Sequence, residues 1–96
     1  MVVSTQVTVL IPTPLRRFTG GAAQINASGA TVAAVLDDLE SRHPGLKERI
    51  CESDGQIRRF VNVFLNGENV RDFEGADTPV KPGDEIGIIP AMAGGD

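Results

Sequence analysis

The end of the chain, residues 91–96 with the sequence Ala-Met-Ala-Gly-Gly-Asp, has a composition suited to chemistry on the backbone itself. Ala93, Gly94 and Gly95 carry little or no side chain, so this backbone can enter a narrow site and adopt dihedral angles that bulkier residues avoid. When extended, residues 91–95 reach about 17 Å. Such a segment can present a carboxylate inside a partner's active site while the domain docks outside. A frayed terminus has the same composition, so both interpretations are open at this point.

Side chains that commonly act in catalysis are few and isolated. Cys51 is the only cysteine, which excludes an internal disulfide and a metal cluster held by several thiolates. A lone cysteine is more typical of a small buried hydrophobe than of a nucleophile. His43 has no second histidine or cysteine nearby to complete a metal site. The sequence therefore predicts no catalytic residue, no metal site and no bound cofactor.

The composition of the chain indicates which kinds of partner it does not bind. The net charge is −4 and the chain has no Trp or Tyr, whereas nucleic-acid recognition needs a basic surface. No apolar run approaches the roughly 18–20 residues of a membrane-spanning helix. The first residues also lack the basic and apolar regions of a signal peptide. We therefore expect a cytoplasmic protein that binds neither nucleic acid nor membrane.

Hydrophobic periodicity predicts the elements that position the tail. Residues 5–11 alternate with period two and predict a first strand, which two prolines end. A second strand is predicted over residues 22–27, after a Gly-Gly turn. A helix is predicted to begin after Thr31, a good N-cap, and to end before Pro44. The apolar residues of this helix recur at helical spacing and are Val32, Val35, Leu36 and Leu39.

Turn signals separate short apolar runs in the second half of the chain. Asn66-Gly67 is the preferred pair for a type I′ hairpin turn, and the sequence at 81–84, Lys-Pro-Gly-Asp, fits a type II turn. The elements predicted here are a helical turn at 46–50, strands at 60–65, 68–70 and 85–90, and a loop at 71–79. Strands around one helix predict a two-layer α+β domain over residues 1–90. Residues 91–96 are predicted to be a flexible tail.

The same alternation predicts an apolar patch on the sheet. If the odd-numbered residues of the strand at 60–65 face the helix, then Phe64 faces the opposite side. Leu10 and Ile89 fall on that side by the same alternation. A contiguous exposed apolar patch marks an interaction site, whereas scattered apolar residues are ordinary on any surface. The pattern leaves both interpretations open.

Several motifs give the chain a resemblance to a known family. The segments GDEI at 83–86, IIP at 88–90 and AMAGG at 91–95 resemble the C-terminal signature of the ThiS/MoaD sulfur-carrier family. The stretch RFVNVFLN at 59–66, followed by GENVR at 67–71, is similar to the CysO-type carriers, which deliver sulfide for cysteine synthesis. The resemblance implies a ubiquitin-like β-grasp fold, with a mixed sheet of four to five strands and one main helix packed on one face.

The resemblance also implies that the chain is a carrier and not an enzyme. An E1-like adenylyltransferase would use ATP and Mg to convert the Gly95 carboxylate into an acyl-adenylate, which a sulfur donor would turn into a thiocarboxylate. The thiocarboxylate would donate its sulfur to a PLP-dependent cysteine synthase or another sulfur-accepting enzyme. In the family the outer sheet face docks on the activating enzyme, which implies an interface role for Leu10, Phe64 and Ile89.

Asp96 departs from the family pattern, in which the activated form ends at the second glycine. Here a peptide bond to Asp96 occupies the Gly95 carbonyl, where a free carboxylate is needed. One interpretation is a precursor from which a JAMM-type metalloprotease removes Asp96. The other is that Asp96 is an artefact of truncation. We expect a chain that ends at Asp96 not to be activated.

Other functions are compatible with the same features. The same chemistry serves carriers for thiamin or molybdopterin synthesis. A ubiquitin-like modifier would instead form an isopeptide bond to protein lysines through Gly95. A third class is an interaction module with an inert tail, which would keep its function after deletion of Gly94 and Gly95.

Overall fold

A computed structural model of the protein describes residues 6–90 and shows a mixed sheet. Its strands are β1 (Gln6–Leu10), β2 (Gln24–Ser28), β3 (Val61–Leu65), β4 (Glu68–Asn69) and β5 (Glu85–Pro90). They lie in the order β2-β1-β5-β3-β4. The central pair, β1 and β5, is parallel, and the other neighbouring pairs are antiparallel. The predicted mixed sheet is therefore confirmed, with five strands.

The main helix, α1 (Val32–Arg42), begins where the sequence predicted. The Thr31 hydroxyl oxygen accepts a hydrogen bond from the Ala34 N–H at 3.1 Å, which satisfies one of the free donors of the first turn. The helix ends ahead of Pro44, whose ring and missing N–H prevent its continuation. A shorter helix, α2 (Leu46–Ile50), follows at the predicted helical turn.

The hydrophobic core lies between α1 and the inner face of the sheet. Alternate residues of the central strands are buried there, namely Val7, Val9, Val61, Val63, Ile86 and Ile88. The buried residues of α1 are those predicted from its periodicity, Val32, Val35, Leu36 and Leu39. Burial of this apolar surface is the main force that holds the helix to the sheet. One helix across one face of such a mixed sheet is the ubiquitin-like β-grasp, as the resemblance implied.

The connection from β1 to β2 differs from the prediction. The prolines that end the first strand open a 3-10 helix over Thr13–Phe18, because the fixed φ of proline suits the first positions of a helix. Leu15 is buried against the core from this helix. The second strand begins at Gln24 and not at residue 22, since the Ala22 N–H donates to the Thr19 carbonyl in a preceding turn.

The predicted turns of the second half are confirmed. Asn66 and Gly67 have φ of 52° and 87°, the left-handed values that a type I′ turn requires. Gly83 has φ of 88°, and the Asp84 N–H donates to the Lys81 carbonyl at 3.1 Å, as in a type II turn.

The predicted loop at 71–79 contains more structure than its sequence indicated. Two short 3-10 helices, Val70–Asp72 and Gly75–Asp77, lie in or beside it, so the fourth strand ends one residue earlier than predicted. The end of the segment 71–79 is bonded to the start of α1, because the Val32 N–H donates a hydrogen bond to the Thr78 carbonyl at 3.0 Å.

Candidate functional site

The last described residue of the chain, Pro90, lies at the end of the central strand of the sheet. Pro90 is opposite Val61 on β3, and β5 runs parallel to β1 on its other side. Ile86 and Ile88 anchor β5 in the core, with exposed fractions of 0% and 2%. The tail therefore begins at the end of a strand that pairs with a neighbouring strand on each side. The predicted tail residues lie outside the described part of the chain: Ala93, Gly94, Gly95 and Asp96.

The outer face of the sheet, opposite α1, holds the predicted apolar patch. Leu10 pairs with Gly87, and Gly87 pairs with Phe64, so the three residues form one row across β1, β5 and β3. Ile89 lies two residues further towards the end of β5 and is 53% exposed. The structure thus brings Leu10, Phe64 and Ile89 to one face next to the tail root, Pro90. Their role in docking stays a prediction.

Phe60 is a further exposed aromatic residue close to the end of the sheet where Pro90 lies, because it precedes Val61, the partner of Pro90. It lies directly before β3, in a turn in which the Val61 N–H donates to the Arg58 carbonyl at 3.0 Å. Its side chain is 59% exposed, and the Arg59 guanidinium lies 5.7 Å from its ring centroid, within the range of a cation–π contact. The strand predicted over residues 60–65 therefore begins one residue later, at Val61.

A groove lies between residues 10–16 and residues 87–90, starting where the pairing of β1 with β5 ends, and it reaches the tail root. Its volume is about 320 Å³, and its lining is mostly apolar: Leu10, Ile11, Pro12, Thr13, Arg16, Gly87, Ile88, Ile89 and Pro90. Arg16 is held at this groove by a hydrogen bond from its Nε to the Ile11 carbonyl oxygen at 3.0 Å. Sequence reasoning missed the groove, because no local pattern brings residues 10–16 next to residues 87–90.

A second arginine is held beside the patch on the β3 side. Arg71 donates from Nη1 to Asn62 Oδ1 at 2.8 Å and from Nη2 to the Arg58 carbonyl oxygen at 2.6 Å. Asn69 Nδ2 donates to the same Asn62 oxygen at 3.4 Å. The patch is therefore bordered by fixed positive charge, although the whole chain carries a net charge of −4.

Away from the patch, Cys51 is buried and Arg58 forms an ion pair. Burial raises the pKa of the Cys51 thiol above its ordinary value, which disfavours the thiolate form that acts as a nucleophile. Arg58 pairs with Glu52 at 3.1 Å. Between residues 6 and 90 no group of three or more His, Cys, Asp and Glu side chains is placed to hold a metal ion. Nor does this part of the chain contain a helix long and apolar enough to cross a membrane.

The β-grasp sheet and its central last strand define a small ubiquitin-like protein, and comparison with known proteins assigns its family. A sequence profile of the ThiS family matches residues 9–95, so the chain belongs to the ThiS family. It is 47% identical over 91 residues to the sulfur carrier protein CysO of Mycobacterium tuberculosis, covering 93% of this chain and 98% of that protein. The predicted resemblance is therefore confirmed.

Solved structures agree with this assignment. A chain of the crystal structure of the Amycolatopsis orientalis BexX/CysO complex superposes with a TM-score of 0.86 at 48% identity, covering 88% of this chain and 94% of that one. Small archaeal modifier protein 1 of Methanosarcina acetivorans superposes with a TM-score of 0.81 at 32% identity, covering 96% and 98%. These relatives are carriers and modifiers and not catalysts, which confirms the prediction that the chain is not an enzyme.

Proposed function

We propose that this protein is a sulfur carrier whose Gly95 carboxylate is converted to a thiocarboxylate that donates sulfur in cysteine biosynthesis. The observation that carries the proposal is the ThiS-family match, which extends through residue 95 and so includes Gly94 and Gly95. The identity of 47% to a CysO carrier favours cysteine over other sulfur metabolites. A strand anchored in the core and ending at Pro90 is also a suitable base for a tail that enters a partner.

The proposed chemistry takes place at the Gly95 carboxyl group. A carboxylate oxygen attacks the α-phosphorus of ATP, held with Mg by an E1-like adenylyltransferase, and pyrophosphate leaves. A sulfur donor then attacks the carbonyl carbon, AMP leaves, and the thiocarboxylate remains. Its sulfur attacks an electrophilic acceptor on a PLP-dependent cysteine synthase or a related enzyme. Hydrolysis at the Gly95 carbonyl finally regenerates the carboxylate.

The described domain contributes docking and not acid–base chemistry in this proposal. The patch of Leu10, Phe64 and Ile89 next to Pro90 is proposed to dock on the adenylyltransferase while the tail enters its active site. A partly exposed apolar patch is the kind of surface that partners cover. Arg59 and Arg71 beside it favour a partner whose matching surface is acidic.

Asp96 sets a condition for this function. Because Asp96 follows Gly95, the peptide bond between them must be cleaved before Gly95 can be adenylated. We propose a JAMM-type metalloprotease for this step. The experiment incubates two chains, one ending at Gly95 and one at Asp96, with the adenylyltransferase of the same organism, ATP, Mg and sulfide, and follows their intact masses.

The chain ending at Gly95 is expected to gain the mass difference between sulfur and oxygen, and the chain ending at Asp96 to stay unchanged. Equal conversion of both chains would contradict the need for cleavage. No conversion of either chain would contradict the carrier function. Addition of a purified JAMM-type protease to the Asp96 form is expected to restore conversion.

A second candidate function is conjugation to protein lysines through Gly95. The likeness to small archaeal modifier protein 1 favours it, with a TM-score of 0.81. Denaturing gels under reducing conditions separate the two candidates, because isopeptide conjugates persist as bands of higher mass whereas a thiocarboxylate stays on the free protein. Carriers for thiamin or molybdopterin share the first two steps and differ only in the enzyme that accepts the sulfur.

A further inference from the structure

Gly87 occupies a position in the central strand where glycine has no structural purpose. Its backbone is not left-handed, since the residues with positive φ do not include it. Apart from its chain neighbours, no atom of residues 6–90 lies within 4 Å of a Cβ built at Gly87, so no segment of this part of the chain approaches closely enough to require a glycine there. The pairing with β3 continues without offset on both sides, through Ile86 and Ile88, so there is no bulge. Glycine inside a strand weakens it, because it packs no side chain and loses more backbone freedom.

The missing side chain of Gly87 leaves space on the outer face. By its pairing with Leu10 and Phe64, a side chain at position 87 would lie between those two. Gly87 instead forms part of the floor of the groove that ends at Pro90. A larger side chain at this position would begin in open space, because the Cβ meets no described atom within 4 Å, and would narrow that end of the groove.

The charge at the groove indicates what kind of partner surface can bind there. Of the residues between 6 and 90 that line the groove, Arg16 is the only charged one. The ion pairs within residues 6–90 involve Arg42, Lys47 and Arg58, and not Arg16. An apolar floor with one cation at its side is complementary to a surface that carries an apolar side chain next to a carboxylate.

We infer that the groove over Gly87 receives an apolar side chain of the activating enzyme, and that a neighbouring carboxylate of that enzyme pairs with Arg16. Gly87 is then a positioning residue: it keeps the groove open so that the domain seats with Pro90 at the mouth of the partner's active site. The inference rests on the proposed function, because it names a contact for the same docking step. The inference adds a second requirement for activation. The outer face must be apolar, and position 87 must also lack a side chain so that the groove stays open.

The experiment uses the chain ending at Gly95 and measures pyrophosphate release by the E1-like adenylyltransferase of the same organism at varied carrier concentration. Gly87→Val is expected to fold normally, since β-branched residues suit strands. It is expected to raise KM for the carrier by about tenfold or more with little change in kcat, because overpacking an interface weakens binding before chemistry. Thr8→Ile, which adds volume on the same face one row further from the tail, is the matched control and should stay within about twofold.

Arg16 is tested in the same assay. Arg16→Ala is expected to raise KM and to flatten its dependence on salt, because a charge pair across the interface is lost. Arg42→Ala is the matched control, since Arg42 Nη2 also donates to a strand carbonyl, that of Asn26 at 2.8 Å, but at the far edge of the sheet. Its KM and salt dependence should equal those of the wild type.

Each outcome decides between the two proposals. Turnover of the wild-type chain with an unchanged KM for folded Gly87→Val overturns this inference alone. No turnover of the wild-type chain overturns the proposed function and this inference with it. If sedimentation shows a wild-type dimer that Gly87→Val disrupts, the groove belongs to a second copy of the chain, and the assignment to the activating enzyme is wrong.

Discussion

Pro90 lies directly opposite Val61 in the antiparallel pair of β5 and β3, at the end of the sheet where β1 also ends. This pairing places the root of the tail at the centre of the sheet and not at a free edge. Exposed Phe60 precedes Val61, and exposed Ile89 precedes Pro90. A partner that takes in the tail would therefore meet exposed apolar side chains next to its root.

We expect the substitution Phe64→Asp to abolish activation while the domain stays folded. A carboxylate in the middle of the patch would be buried without a partner in the complex, at a cost of several kcal/mol. Pyrophosphate release measures activation, and circular dichroism measures the fold. Phe64 is half-buried, so Phe64→Asp could also weaken the fold. Ile89→Asp changes a more exposed residue of the same patch and serves as the second variant. Phe73→Asp, at a residue 52% exposed outside the sheet, is the control and should be activated normally.

Asp38 and Arg42 are expected to protect the open edge of β2. The Ser28 N–H donates to Asp38 Oδ2 at 2.9 Å, and Arg42 donates to the Asn26 carbonyl and to Asp38. Asp38→Ala leaves the Ser28 N–H without this partner, so we expect the free energy of unfolding to fall by about 1–2 kcal/mol. Urea denaturation measures it. Asp37→Ala breaks only the exposed ion pair with Lys47 and should cost less.

Glu40 is expected to make stability depend on pH. Its carboxylate accepts hydrogen bonds from the backbone N–H groups of Gly45 and Lys47, which lower the pKa of Glu40 below its ordinary 4.5. Because the pKa of Glu40 is lower in the folded state, its carboxylate adds fully to the free energy of unfolding at pH values above its ordinary pKa. This stabilisation is lost as the pH falls through the pKa of the folded state. Glu40→Gln should therefore be less stable than the wild type at about pH 7, and the difference should shrink at about pH 3. A difference independent of pH would contradict this cause.

Cys51 is expected not to interfere with detection of a thiocarboxylate. Its thiol is buried and its pKa is raised, so little thiolate exists at neutral pH, whereas a thiocarboxylate is already an anion. Iodoacetamide should therefore label the activated chain once, at the tail, and label Cys51 only after denaturation. Peptide mapping by mass spectrometry locates the label. Rapid labelling of Cys51 in the unactivated folded chain would contradict its burial.

Local sequence patterns were sufficient to predict most of the helices, strands and turns. The Thr31 N-cap, the helical spacing from Val32 to Leu39 and the Asn66-Gly67 turn each depend on a few neighbouring residues, and the structure confirms them. The 3-10 helix over Thr13–Phe18 was missed, because prolines end a strand and also begin a helix. Burial of Leu15 against the core decides between these two outcomes, and a local pattern cannot show it.

The amino-acid sequence by itself determined the class of protein, because the glycine-rich end and the motifs at 83–95 are contiguous and readable without a fold. Only the tertiary structure decided that β5 lies between β1 and β3. That placement brings Leu10, Gly87 and Phe64 into one row and sets Arg16 beside Pro90. The physical reason is that strand order and register depend on hydrogen bonds and burial between segments far apart in the chain, which hydrophobic periodicity within one segment does not specify.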